Sequence, residues 1–229
     1  MNNCTEKARF DTLPDNKAIA LSGKTVRIVI FAKAPLAGLA KTRLIPALGE
    51  QGAANLAKQL LIHSVEQALA ADVGTVELCV TPSKQHSVWD EMQLSKKLQW
   101  SNQGAGDLGD RLARAALQGI ANGDAVLLMG ADCPDLTAER IAEAARALTT
   151  HDTCLIPVSD GGYALLGLNQ YLGSVFIDMP WSTAAVARLT RERLLTQGLR
   201  LHELAELHDI DEPEDLQYLP AHLKQQYLE

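Results

Sequence analysis

Aspartates dominate the residues in this chain that could do chemistry. Asp132 stands in Met129-Gly130-Ala131-Asp132-Cys133-Pro134-Asp135, directly after an apolar run. A carboxylate at the end of a strand could hold Mg²⁺ or Mn²⁺, hard cations that take oxygen ligands and bridge phosphates. Asp135 and Thr137 are better placed to cap the following helix, so Asp132 is expected at a metal or ribose and Asp135 in a structural role. His208-Asp209-Ile210-Asp211 supplies two more carboxylates, which point alike if the segment is extended. Asp209 and Asp211 could complete a metal shell begun by Asp132, or form an acidic cap ahead of Pro213. Spacing leaves both open.

The cations that would face such a site are concentrated early. Lys33, Lys41 and Arg43 fall within Phe31-Ala32-Lys33-Ala34-Pro35-Leu36-Ala37-Gly38-Leu39-Ala40-Lys41-Thr42-Arg43-Leu44. This loop leaves a predicted strand at its C-terminal end, where open α/β sheets place ligands. Small residues from Ala32 onward let backbone N–H groups approach an anion, and Gly38 permits a conformation that other residues resist. Lys33, Lys41 and Arg43 could neutralise a di- or triphosphate, with Arg43 able to grip two oxygens. The order is neither G-x-x-x-x-G-K-[ST] nor G-x-G-x-x-G. A solvated surface loop is the alternative; the position after the first strand weighs against it.

Three further segments could meet a substrate. Gln103-Gly104-Ala105-Gly106-Asp107-Leu108-Gly109 precedes a predicted helix, so Gln103, Gly106 and Asp107 could contact a base, ribose or sugar, although a plain turn also explains the glycines. In Asp160-Gly161-Gly162-Tyr163, Asp160 could accept from a substrate hydroxyl or act as a base; D-G is equally the chemistry of a tight hairpin turn. Trp181 could line a pocket or sit in core. Lys41, Asp132 and Asp160 are the expected catalytic groups. The six histidines show no zinc-binding spacing.

These groups need a frame, and the hydrophobic periodicity supplies one. Thr25 to Ala32, Val76 to Val80, Leu98 to Trp100 and Ala125 to Met129 read as strands; Glu50 to Ala71, Asp110 to Ala121 and Thr137 to Leu148 alternate with them as helices. The alternation predicts a three-layer, doubly wound, mostly parallel α/β sheet. Leu155 to Val158 and Tyr163 to Leu168 then predict an antiparallel excursion, followed by a helix over 183–196 and a strand over 199–204. Residues 1–24 read as a flexible extension, and 25–229 as one domain.

Composition bounds the function. The chain has 229 residues and a net charge of −7, with 47% hydrophobic residues. That suits a globular protein and offers no basic stripe for nucleic acid. Cys4, Cys79, Cys133 and Cys154 form no paired spacing and read as reduced thiols. No apolar run spans a bilayer and no signal sequence precedes the first strand. A cytoplasmic location is expected.

The order F-A-K-A-P-x-x-G-x-x-K-T-R-L, Q-G-x-G-D-L-G-x-R, G-A-D-C-P-D-L, D-G-G-Y and D-I-D-E-P-E-D-L resembles a bacterial family of glycosyltransferase-like proteins over residues 26–219. That family includes members associated with arsenosugar biosynthesis. The resemblance implies the GT-A, nucleotide-diphospho-sugar transferase fold, shared with 2-phospho-L-lactate and molybdenum cofactor guanylyltransferases. It implies phosphate contacts from Lys33, Gly38, Lys41 and Arg43, and a divalent cation on Asp132 with Asp209 and Asp211. It also implies that Asp160 to Tyr163 face the second substrate. The D-x-D of GT-A enzymes stands here as Asp132-Cys133-Pro134-Asp135, which departs from the pattern.

Glycosyl transfer from a nucleotide-diphospho-sugar to a small-molecule acceptor is the leading expectation. Nucleotidyl transfer to a phosphorylated small molecule, with pyrophosphate release, is the alternative. A non-catalytic nucleotide-sugar binder is the third. Oligomeric state is not legible.

Overall fold

Aliphatic runs with both faces apolar form strands buried on both sides, and these build the centre of the protein. In the computed structural model, residues 24–227 are described. The expected N-terminal extension, Cys4 included, lies outside them except for Lys24, whose Nζ donates to the Asn169 carbonyl at 2.8 Å. In chain order the elements are β1 (Val26–Lys33), α1 (Ile45–Ala70), β2 (Gly74–Thr81), β3 (Gln99–Asn102), α2 (Leu108–Ala121) and β4 (Ala125–Met129). There follow α3 (Ala138–Ala147), β5 (Thr153–Pro157), β6 (Tyr163–Leu168), α4 (Val186–Thr196), β7 (Leu201–Glu203) and α5 (Ala221–Tyr227).

The strands form one seven-stranded sheet in the order β3-β2-β1-β4-β6-β5-β7. β1 pairs in parallel with β2 and β4, and β2 with β3. β6 runs antiparallel between β4 and β5, while β5 and β7 are parallel. This is the predicted doubly wound, mostly parallel α/β sheet with its antiparallel excursion.

Alternating side chains sort into two layers, as strand geometry requires. Ile28 and Ile30 of β1 and Leu127 of β4 pack with Leu61 and Val65 of α1 and Ile141 of α3. Val29, Val126 and Leu128 face the other side, against Leu112 and Ala116 of α2 and Leu194 of α4. A third cluster lies beyond the sheet, joining Leu44, Leu56 and Leu60 to Ile210, Leu219 and Leu223.

Several boundaries differ from expectation for local reasons. α4 begins at Val186 rather than Thr183, because Ser182 has φ 62° and the Thr183 hydroxyl donates to the Pro180 carbonyl at 2.7 Å. β7 covers Leu201–Glu203 rather than 199–204, the length over which it pairs with β5. β3 begins one residue later than predicted, with Leu98 turned into the core. Thr137 occupies the cap position of α3 without a side-chain cap; Gln67 Oε1 accepts instead from Ala138 N at 2.9 Å. The stretch around Trp89 forms a 3-10 turn that buries the indole.

Candidate functional site

The loop after β1 is built around two left-handed residues. Gly38 has φ 74°, which glycine accommodates readily. Lys41 has φ 45°, a costly conformation for a residue with a Cβ and one that accumulates at functional sites. Leu44, fully buried at the end of the following 3-10 turn, anchors the loop in the third apolar cluster. Ile210 is buried in that same cluster, and its N–H donates to the Asp132 carbonyl at 3.0 Å. One packing unit therefore fixes the early basic loop and the late acidic segment against the end of β4.

With Ile210 turned into the core, Asp209 and Asp211 on either side both reach the cleft. The segment is held from behind by Asp215, whose Oδ2 accepts from Asp211 N at 3.0 Å and Glu212 N at 2.7 Å. Asp215 was not among the expected site residues, although a capping pair across Pro213 is readable in Glu212-Pro213-Glu214-Asp215. Two contacts link the neighbouring His208 to other parts of the rim. Its Nδ1 lies 2.9 Å from Ser159 Oγ, and its carbonyl accepts from Cys133 Sγ at 3.2 Å.

Lys41 is the junction. Its Nζ lies 2.6 Å from Asp211 Oδ1 and 3.5 Å from Asp132 Oδ2. Burial opposes its charge, but the Asp132 and Asp211 carboxylates outweigh that cost and raise its pKa above the ordinary lysine value. Arg43 Nη1 is 3.2 Å from Glu212 Oε1 and 3.9 Å from Asp211 Oδ2, with its side chain largely exposed. Burial pushes Asp209 up to about 7, reinforced by the Asp160 and Asp132 carboxylates.

A cleft of about 450 Å³ opens beside this cluster. Arg43, Asp132, Asp160, Asp209 and Asp211 line its charged side, and Phe31, Leu108, Tyr163, Trp181 and Val186 contribute to its apolar side. Asp160 Oδ1 accepts from Gly162 N at 2.7 Å, so the turn reading of this segment holds while Asp160 and Gly162 also face the cleft. Gly161 has φ 89° and its carbonyl accepts from Ala187 N at 2.8 Å, locking the turn onto α4. Trp181 is both core and wall: it packs on the cluster around Phe176 and lines the cleft.

Other expected contacts lie elsewhere. Lys33 Nζ turns back to the Leu39 carbonyl at 2.8 Å, so it does not join Lys41 and Arg43. Ala32 is buried in the core. Gln103 is buried too, its Nε2 bonded to the Ala32 and Cys79 carbonyls at 3.1 Å and its Oε1 accepting from Arg111 at 3.2 Å. Asp107 caps α2 by accepting from Asp110 N at 2.9 Å, and the Gly106 carbonyl accepts from Arg111 Nε at 3.0 Å. Gln103, Gly106 and Asp107 thus scaffold the loop and are not in the cleft lining.

Among the described residues, no group of three or more His, Cys, Asp or Glu is arranged to hold a metal ion. Asp132 and Asp211 instead share the Lys41 ammonium. The donor chemistry nevertheless suits a hard divalent cation, because the candidate ligands are all carboxylate oxygens. Burial, and after it the Asp160 and Asp132 carboxylates, disfavours the ionised form of Asp209, and a cation bound there would favour it. Cys79, Cys133 and Cys154 are free and buried. Among the described residues no helix is long and apolar enough to cross a membrane.

Comparison with known proteins matches the fold to nucleotide-diphospho-sugar transferase-like structures. A structure from Desulfovibrio desulfuricans G20, provisionally assigned as a nucleotide-diphospho-sugar transferase, is 28% identical with a TM-score of 0.80, covering 88% of each chain. The fold also matches CMP:2-keto-3-deoxy-manno-octonic acid synthetase complexed with CTP at 13% identity and TM-score 0.56, covering 88% of this chain and 99% of that one. A Mycobacterium tuberculosis H37Rv protein in complex with manganese matches at 15% identity and TM-score 0.55, covering 85% and 97%. No curated protein matches. Residues 64–183 match a family described as an uncharacterized protein conserved in bacteria, DUF2064, and the chain belongs to that family.

Proposed function

We propose that the protein is a nucleotide-dependent transferase that moves a glycosyl group from a nucleotide-diphospho-sugar to a small-molecule acceptor, assisted by Mg²⁺ or Mn²⁺. One observation carries the reading: Lys41 and Arg43, from the turn after β1, meet Asp132, Asp209 and Asp211 at one rim of the sheet beside a cleft. That rim is where α/β sheets bind ligands. Likeness to the Desulfovibrio structure supports the donor class.

In this reading Lys41 and Arg43 bind the diphosphate and offset the charge that builds on it as it leaves. Asp132, Asp209 and Asp211 would hold the divalent cation, which supplies further positive charge at the phosphates. Phosphate oxygens would compete with the Asp132 and Asp211 carboxylates for the Lys41 ammonium. Asp160 and Tyr163 face the acceptor, and the apolar wall limits water at the reacting carbon. The free thiols are consistent with a reducing, cytoplasmic setting.

Isothermal titration with nucleotide sugars and nucleoside triphosphates, with and without Mg²⁺, tests the reading. Asp132→Asn should abolish the metal-dependent part of nucleotide binding; unchanged affinity in Mg²⁺ would remove Asp132 from the metal shell. The basic loop and the likeness to a CTP-bound synthetase favour nucleotidyl transfer as a second reading. Pyrophosphate release from a triphosphate would establish it.

A further inference from the structure

The cleft's charge and its walls disagree about what kind of second substrate they suit, and the disagreement is informative. Its lining carries the carboxylates of Asp132, Asp160, Asp209 and Asp211 against the single guanidinium of Arg43. Arg43 pairs with Glu212 and Asp211, and Lys41 with Asp211 and Asp132, and in the reading above both cations turn to the donor's diphosphate. Among the described residues, no lysine or arginine besides Arg43 lines the space toward Tyr163 and Trp181. With those cations taken by the donor's diphosphate, a phosphorylated acceptor would bring a further negative charge against Asp160 and the donor phosphates, and like charges within a few ångströms oppose one another.

The wall is largely apolar, with Ser182 and Thr183 beside Trp181, and part of it faces solvent. Leu108 is 41% exposed although it lines the cleft, and Trp181 stands with it. Trp181 packs closely on α2, with its Nε1 against Gly109, where a Cβ would lie 2.8 Å from that nitrogen. A planar or aliphatic body therefore has a preformed surface to cover. Asp160 uses Oδ1 on the Gly162 N–H, and Oδ2 has no hydrogen-bond partner among the described residues. That leaves one carboxylate oxygen able to accept from a hydroxyl.

We propose that the region between Asp160 and Trp181 is an acceptor subsite for an uncharged, hydroxyl-bearing molecule with an apolar body, and that it rejects phosphorylated acceptors. This rests on the glycosyl-transfer reading above. In that reaction the acceptor oxygen forms a bond to the anomeric carbon while the bond from that carbon to the diphosphate breaks. The nucleoside diphosphate leaves with the electron pair, and the hydroxyl proton passes to Asp160 and on to water.

The test uses the full chain without divalent cation and two probes with the same ring, phenyl β-D-glucoside and phenyl phosphate, followed by ligand-observed NMR. Phenyl glucoside should bind and phenyl phosphate should not at the same concentration. Leu108→Glu, at an exposed position, should weaken the glucoside by about fivefold, the scale of losing one apolar contact. Asp160→Asn, which keeps the Oδ1 bond to Gly162, should raise phenyl phosphate binding by removing one like charge. Phenyl phosphate binding as tightly as the glucoside, or neither probe binding, overturns the proposal. A separate titration of nucleoside diphosphates with Mg²⁺ judges the transferase reading: nucleotide binding with phosphate-tolerant acceptor binding would leave that reading standing while sinking this one.

Discussion

The Lys41 ammonium lies 2.6 Å from Asp211 Oδ1 across 170 residues of sequence, and it shares Asp132 as a second, longer partner at 3.5 Å. A cation supplied by the chain thus sits between two carboxylates that could ligate a metal. Phosphate and divalent cation would arrive at the same place, one attracted by Lys41 and the other repelled by it.

Lys41→Met should consequently have effects of opposite sign. Nucleotide affinity should fall by about tenfold, the size of one charge-assisted contact of roughly 1.4 kcal/mol. Manganese binding to the nucleotide-free protein should strengthen, because two carboxylates lose their competitor. Titration calorimetry reads the first and electron paramagnetic resonance of free Mn²⁺ the second. A variant that weakens both would mean that Lys41 holds the carboxylates in place rather than competing for them.

Asp209 should make stability depend on pH. Its folded pKa of about 7 stands above the ordinary value of 3.8. Between those values the folded protein retains a proton that the unfolded chain has released. The stabilisation from this group is therefore complete below the unfolded value and is lost as pH rises through about 7. In metal-free protein, the difference in Tm between wild type and Asp209→Asn should shift against wild type across that window. Manganese affinity of wild type should rise over the same interval, since the cation competes with the proton. A flat difference would place Asp209 in water rather than among carboxylates.

Leu44 offers a test of how the site is held together. It is fully buried beside Leu56, Leu60 and Ile210. Leu44→Ala should cost about 2–5 kcal/mol in urea unfolding, the range for a buried leucine. It should also weaken nucleotide binding, because the residue contacts the core and not the cleft yet anchors the loop bearing Lys41 and Arg43. A destabilised protein with unchanged nucleotide affinity would show that the loop is positioned by its own turns.

Gly109 sets the position of Trp181. An added Cβ would meet the Phe176 carbonyl and lie 2.8 Å from Trp181 Nε1. Gly109→Ala should destabilise by about 1–3 kcal/mol, as overpacking does, and alter tryptophan fluorescence. Thermal melting and emission spectra check both; an unchanged spectrum would argue that the indole is free to move aside.

Periodicity and loop chemistry made the α/β frame, the basic loop after β1 and the acid at the end of β4 legible from residues alone, because each is a local pattern. The extended His208-Asp209-Ile210-Asp211 segment was readable as a pair of like-facing carboxylates that the basic loop would face, but the direct pairing of Asp211 with Lys41 was not. That contact exists because Leu44 and Ile210 bury in one cluster, a relation between residues far apart in sequence. Local pattern also misjudged Lys33 and Gln103, whose polar atoms are spent on backbone carbonyls that come within reach only after the loop folds and the strands assemble. Short-range order follows from side-chain type and spacing, whereas the choice of partner for a charge depends on which apolar surfaces pack together in space.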